Sequence, residues 1–171
     1  MRRIFVLGGA RSGKSTFAER LADECGGAAL YVATAAAGDD EMAERIAHHR
    51  ARRPLSWLTL EVRVGLAAAI NQALGNLRDG ESTVLVEDLT LLLSNLMPGG
   101  DAEARAIAEV EALCVLPANL ILVSNEVGMG IVPPYPSGRQ FRDALGRLNQ
   151  RAAALCDEAY FVVAGVPLRL K

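Results

Sequence analysis

Short apolar runs alternate with longer segments of helical period along the chain. Five runs, Ile4–Leu7, Ala29–Ala33, Thr83–Val86, Leu120–Ser124 and Tyr160–Val163, are brief and almost free of charge, as strands buried on both faces of a parallel sheet must be. Between them, Lys14–Glu24 gathers Phe17, Ala18, Leu21 and Ala22 on one helical face, and Arg139–Cys156 gathers Phe141, Leu145, Leu148, Ala152 and Leu155. Further helices are predicted at Asp40–Arg53, Val64–Leu77, Leu89–Leu96 and Ala102–Leu116, and a last short strand at Leu168–Leu170 after a turn around Gly165–Pro167. The polar residues of the last long helix, Arg142, Asp143, Asn149 and Gln150, read as solvated surface. This alternation predicts an α/β fold in which helices flank a mostly parallel sheet. Pro98-Gly99-Gly100 and Pro133-Pro134-Tyr135-Pro136 break it as loops, and no internal repeat is present.

Composition narrows the reading. At 171 residues, with 51% hydrophobic and 22% charged positions, the chain suits one folded unit with a substantial core, not a disordered or fibrous one. Its 18 basic and 20 acidic residues leave a net charge of −2, so no positive field draws nucleic acid. Cys25, Cys114 and Cys156 are odd in number and lack C-x-x-C spacing, which suits buried thiols of a cytoplasmic protein rather than a disulfide framework. The first apolar run ends at Leu7, too soon for a secretory signal, and Ala112–Val123 is interrupted by Pro117 and Asn119, so no membrane span is expected.

The first strand leads into Gly8-Gly9-Ala10-Arg11-Ser12-Gly13-Lys14-Ser15, a G-x-x-x-x-G-K-[ST] loop followed by a helix. Glycines let backbone N–H groups turn toward phosphate oxygens, and the helix N-terminus adds its positive end. Lys14 then reaches the β/γ-phosphates and the Ser15 hydroxyl ligates Mg²⁺. Sixteen of the eighteen basic residues are arginine, and Lys14 is the one lysine besides Lys171. A compact ammonium has been kept where a point charge suits the phosphates. Arg11 and Ser12 occupy positions the motif leaves free.

A phosphate loop also needs a carboxylate near its metal. Glu87 and Asp88, at the end of Thr83–Val86, can each supply it; register favours Glu87 for the metal and Asp88 as N-cap of the helix that follows. The two histidines of the chain, His48 and His49, lie together in the predicted helix 40–53. At about 100° per residue, His48 falls on the polar face with Glu41, Glu44 and Arg52, while His49 sits at the edge of the apolar face beside Met42. An exposed imidazole can attack phosphorus with arginines neutralising the charge, although the residues alone read more simply as a solvated helix face. The segment Ser124–Pro133 follows a strand's carboxyl end, where α/β proteins place their sites.

Eight segments in order carry a resemblance: GGARSGKS at 8–15, YVATA at 31–35, DDEMAERIAHHRARRP at 39–54, the Trp57/Thr59/Glu61 stretch, LVEDLTLLLSNL at 85–96, VSNEVGMGIVP at 123–133, RQFRDALGRLNQR at 139–151 and VVAGVPLRLK at 162–171. Together they resemble the bifunctional adenosylcobinamide kinase / adenosylcobinamide-phosphate guanylyltransferase family of cobalamin biosynthesis. The resemblance implies a RecA-like P-loop NTPase core assembled as a trimer. It implies phosphorylation of the aminopropanol hydroxyl of adenosylcobinamide by ATP or GTP, then transfer of GMP from GTP to the adenosylcobinamide phosphate, with Mg²⁺ held by Ser15 and Glu87. By the same resemblance His48 is the guanylylated histidine. Nucleotide contacts map to Gly8, Gly9, Ala10, Arg11, Ser12, Gly13, Lys14, Ser15, Thr34, Ala35, Ala36, His49, Arg50, Ala51, Arg52, Glu61 and Glu87. The chain departs from the pattern at Asp88, where a small residue such as Cys is usual, at Met129, where Trp is common, and in the loop Pro133–Gly138.

Competing classes fit less well. A P-loop small-molecule kinase without guanylyl transfer leaves the His-Arg segment idle. A GTP-operated switch wants N-K-x-D, which a chain whose lysines are Lys14 and Lys171 does not contain, and a nucleic-acid motor is opposed by the net charge.

Overall fold

Residues on alternate sides of each central strand are apolar, so the sheet needs cover on both faces. The computed structural model describes residues 1–35, 54, 56–76 and 82–171. Its strands are β1 (Arg3–Gly8), β2 (Ala28–Ala33), β3 (Leu58–Glu61), β4 (Ser82–Glu87), β5 (Asn119–Asn125), β6 (Glu158–Val163) and β7 (Val166–Arg169). They form one sheet in the order β3-β2-β4-β5-β1-β6-β7. Every pairing is parallel except the β6–β7 hairpin.

The helices are α1 (Lys14–Cys25), α2 (Leu66–Gly75), α3 (Leu89–Leu96), α4 (Ala102–Cys114) and α5 (Pro136–Leu155). Phe17, Ala18, Leu21 and Ala22 of α1 bury against Ile4, Val6, Tyr31, Leu85, Ile121 and Val123 on one face. The intervening residues Phe5, Leu30, Val32, Val84, Val86, Leu120 and Leu122 meet α2 to α5 on the other. Two cores thus clamp the central strands, and the carboxyl ends of β1, β2, β4 and β5 emerge together along one edge.

Several boundaries differ from the sequence reading. Strand β3 was not predicted: it lies at the sheet edge, only Leu60 is half-buried, and its short LTLE run carries no apolar signal. Strand β7 begins at Val166 and includes Pro167, which an edge strand tolerates; the turn before it is Ala164-Gly165, both with positive φ. Helix α5 starts three residues earlier than expected because Pro136 fits the first helical turn, and α2 starts at Leu66 after Gly65, whose φ is 71°. Cys156 is buried, whereas Cys25 and Cys114 are only half-buried, and all three are free. The predicted helix 40–53 lies outside the described residues. Among those described, no helix is long and apolar enough to cross a membrane.

Candidate active site

The loop between β1 and α1 has little room for side chains. A Cβ on Gly8 would stand 2.7 Å from the Val162 carbonyl oxygen and 2.5 Å from Ser12 Oγ. Gly13 caps α1 with a φ of 92°, and a Cβ there would meet Gly165 Cα at 3.0 Å. Gly165 in turn donates its N–H to the Ser12 carbonyl at 2.8 Å, so the β6–β7 turn braces the loop from behind. Sequence reasoning saw this glycine only as a turn residue.

Lys14 is 4% exposed and its Nζ donates to the Gly9 carbonyl at 3.4 Å. The Ser12 hydroxyl is buried with no hydrogen-bond partner among the described residues. A buried hydroxyl with open valence, a buried ammonium and a glycine cradle at a helix N-terminus are the features a loop that receives phosphate oxygens requires.

Glu87, the last residue of β4, is brought to this loop across the intervening β5. Ser15 donates its hydroxyl to Glu87 Oε1, and Tyr31 donates its own to Glu87 Oε2 at 3.2 Å. Tyr31, almost wholly buried in β2, fixes the carboxylate from behind; within its apolar run it had given no polar signal. Asp88 points elsewhere, accepting the Leu91 N–H at 2.8 Å as the N-cap of α3. The two acidic neighbours therefore divide into a carboxylate that faces the loop and one that caps a helix. A hydroxyl beside a carboxylate is an oxygen donor set suited to a hard divalent cation.

Thr34 lies just past β2, fully buried. Its hydroxyl donates to the Asp88 carbonyl at 2.8 Å and accepts the Asp88 N–H at 2.7 Å, while its own N–H reaches the Glu87 carbonyl at 3.0 Å. Asn95 donates to the Thr34 carbonyl at 3.0 Å, so Thr34 ties β2 to β4 and α3 with every polar group it has. Glu61 ends β3 beside Ala33, and Ala35 follows Thr34 at the same edge. Ala36, His48, His49, Arg50, Ala51 and Arg52 lie outside the described residues.

The end of β5 completes the edge. Asn125 donates its backbone N–H to Thr90 Oγ1 at 2.9 Å, and its amide reaches both Thr90 Oγ1 at 2.9 Å and Asp88 Oδ2 at 3.1 Å. Asn149 of α5, expected to be solvated, instead accepts the Ser124 hydroxyl at 2.6 Å and donates to the Asn125 carbonyl at 3.1 Å. Arg142 and Asp143 do pair with one another at the surface, at 2.9 Å. Glu126 accepts the N–H groups of Gly128 at 2.7 Å and Met129 at 3.0 Å, pinning the following loop. A cleft of about 430 Å³ lies between that loop and the phosphate loop, lined by Gly9, Arg11, Ser12, Glu126, Met129 and Phe161.

A family model described as cobinamide kinase / cobinamide phosphate guanyltransferase matches residues 4–170. The chain belongs to this family. It is 49% identical to the bifunctional adenosylcobalamin biosynthesis protein CobP of Pseudomonas aeruginosa over 173 residues, covering 99% of this chain and 97% of that one. It is 42% identical over 184 residues to the bifunctional adenosylcobalamin biosynthesis protein CobU of Escherichia coli, covering 98% and 99%. The CobU protein of Salmonella typhimurium matches equally. Among solved structures, a Pyrococcus horikoshii protein superposes with a TM-score of 0.61 at 7% identity, covering 99% of this chain and 86% of the other. An ATPase of a bacterial type III secretion system follows at a TM-score of 0.60 and 12% identity, covering 98% and 56%. These likenesses concern the fold, and they agree with a P-loop architecture for this cobinamide kinase / guanyltransferase family member.

Proposed function

We propose that this chain phosphorylates adenosylcobinamide and then transfers GMP to the product. The observation that carries the reading is the meeting of Ser15 and Glu87 at a glycine loop holding a buried lysine, in a chain that matches its family from end to end. In the kinase step the cobinamide hydroxyl oxygen attacks the γ-phosphorus of ATP or GTP, the bond to the β–γ bridging oxygen breaks, and the nucleoside diphosphate leaves. Lys14 neutralises charge on the β/γ-phosphates, and backbone N–H groups of Gly9–Ser15 hold them in line. Mg²⁺, when bound by Ser15 and Glu87, would supply further neutralisation of that charge.

In the second step a ring nitrogen of neutral His48 attacks the α-phosphorus of GTP and pyrophosphate departs. An oxygen of the cobinamide phosphate then displaces the imidazole, breaking the P–N bond and restoring the histidine. Splitting the transfer lets the cobinamide phosphate meet a GMP phosphoryl group after pyrophosphate has left, not the more highly charged triphosphate. Arg50, Arg52 and Ala51 beside His49, with Thr34, Ala35, Ala36 and Glu61, are proposed to surround the nucleotide. The enzyme is proposed to work in the cytoplasm as a homotrimer.

The test is the intact mass of the protein after incubation with GTP and Mg²⁺ but no cobinamide, with peptide mapping at neutral to alkaline pH and a parallel sample treated with acid. An acid-labile GMP adduct on the His48 peptide is expected, and His48→Ala should abolish it while sparing phosphorylation of cobinamide. Bound GTP with no adduct would reduce the reading to a P-loop kinase.

A further inference from the structure

Strand β5 outruns its neighbour. Pairing with β4 ends at Glu87–Val123, because the chain turns into α3 at Asp88. On the other side β5 still follows β1, with the Glu126 N–H donating to the Gly8 carbonyl at 3.1 Å. Backbone groups alternate sides along a strand, so the N–H and C=O of Asn125 face the side that β4 has left. Buried backbone groups in that position need partners, and side chains provide them. Thr90 Oγ1 takes the N–H, and Asn149 Nδ2 takes the carbonyl.

Asn149 is thus a substitute strand partner delivered from a helix. Its other amide atom accepts the hydroxyl of Ser124, which is fully buried, so both ends of the Asn149 amide are engaged. The Asn125 peptide held in this way links two sides of the site. Its side-chain amide meets Asp88 and Thr90 at the start of α3, next to Glu87. The residue after it is bonded to Gly8, where the phosphate loop begins. The phosphate loop leaves the end of β1 and Glu87 ends β4, with β5 between those two strands, so how this strand end is held sets the separation of the base of the loop from Glu87.

We propose that Asn149 is a positioning residue for phosphoryl transfer, fixing through Ser124 and the Asn125 carbonyl the strand end that separates the phosphate loop from Glu87. It makes no hydrogen bond to the phosphate loop itself, so its action is on alignment of the reacting groups and not on nucleotide capture. The proposal rests on the kinase reading above. Reactive groups must be held within about 0.5 Å of their productive positions, which a rotated Asn125 peptide would not preserve.

The experiment measures kcat and KM for adenosylcobinamide phosphorylation, together with GTP affinity by calorimetry, for wild type, Asn149→Ala and Asn149→Asp. All are assayed below their melting transitions. The aspartate keeps the size and the acceptor for Ser124 but removes the donor to Asn125, so it serves if the alanine variant does not fold. The expected result for both variants is a fall in kcat of roughly 10- to 100-fold with GTP affinity within about threefold of wild type. Unchanged kcat in Asn149→Asp, or a loss of GTP affinity that accounts for the whole effect, would overturn the proposal. A wild type that binds GTP and fails to phosphorylate cobinamide would instead overturn the kinase reading.

Discussion

Replacing Asp88 by alanine separates the two acidic residues at the end of β4. Asp88 accepts the Leu91 N–H as the cap of α3 and the Asn125 amide with its second oxygen. Loss of such a cap costs about 1 kcal/mol, and loss of a charge-assisted hydrogen bond in a largely buried setting about as much again or somewhat more. The backbone pairing of Asp88 with Thr34 survives in alanine, so nothing is added for it. The sum is about 2–3 kcal/mol, which for a chain of this length lowers the melting temperature by roughly 5–10 °C. Asp88→Asn should fall between, since it can keep the cap but must turn an amide nitrogen toward the Asn125 amide. Calorimetric melting at fixed protein concentration reads the stability. Titration of Mg²⁺ into the GTP complex well below the transition reads the metal. Asp88→Ala is expected to leave the Mg²⁺ requirement within about threefold of wild type, whereas Glu87→Gln raises it by tenfold or more. A melting temperature within about 2 °C of wild type would refute the capping argument. A metal defect in Asp88→Ala matching that of Glu87→Gln would refute the division of roles.

Other outcomes follow from the same geometry. Gly8→Ala places a methyl against the Val162 carbonyl oxygen, a backbone atom that cannot swing aside; a cost of about 1–3 kcal/mol and weakened GTP binding by calorimetry are expected. Lys14→Arg should lose phosphoryl transfer by about 100-fold or more despite keeping the charge, since a planar fork does not fit the buried site of a compact ammonium; equal rates would remove Lys14 from the phosphate contacts. The Tyr160 hydroxyl, and next the Arg2 guanidinium, hold the Glu158 carboxyl below its usual range. A lowered folded-state value means this carboxylate stabilises the fold above the ordinary glutamate range and ceases to as pH falls through the lowered value. Melting temperatures from about pH 5 downward should therefore fall less steeply in Glu158→Gln, and parallel curves would refute the link.

The phosphate loop could be read from the chain because its chemistry is local: glycines, lysine and serine within eight positions between a strand and a helix. The strands β1, β2, β4 and β5 were visible for a related reason, since burial on both faces leaves an uninterrupted apolar run. Strand β3 was invisible because an edge strand with one half-buried leucine carries no such run. Asn149 was misread as surface, and Gly165, rightly read as a turn residue, gave no sign that it also braces the phosphate loop, because their partners, Asn125 and Ser12, lie 24 and 153 residues away. Helical periodicity reports which face of a helix is apolar, and it is silent about a polar residue at the edge of that face that meets a strand end.

The place of β1 inside the sheet, between β5 and β6, bears on when the phosphate loop can exist. Its two partners are β5 and β6, paired at Arg3–Leu120 and Ile4–Glu158, so this strand waits for strands made more than a hundred residues later. A chain emerging from the ribosome carries GGARSGKS long before it has β5 to hold Gly8 or the β6–β7 turn to brace Ser12. Contacts so distant in sequence form late and only together. Nucleotide therefore cannot act as an early template on a partial chain, and its binding marks a sheet that has already closed.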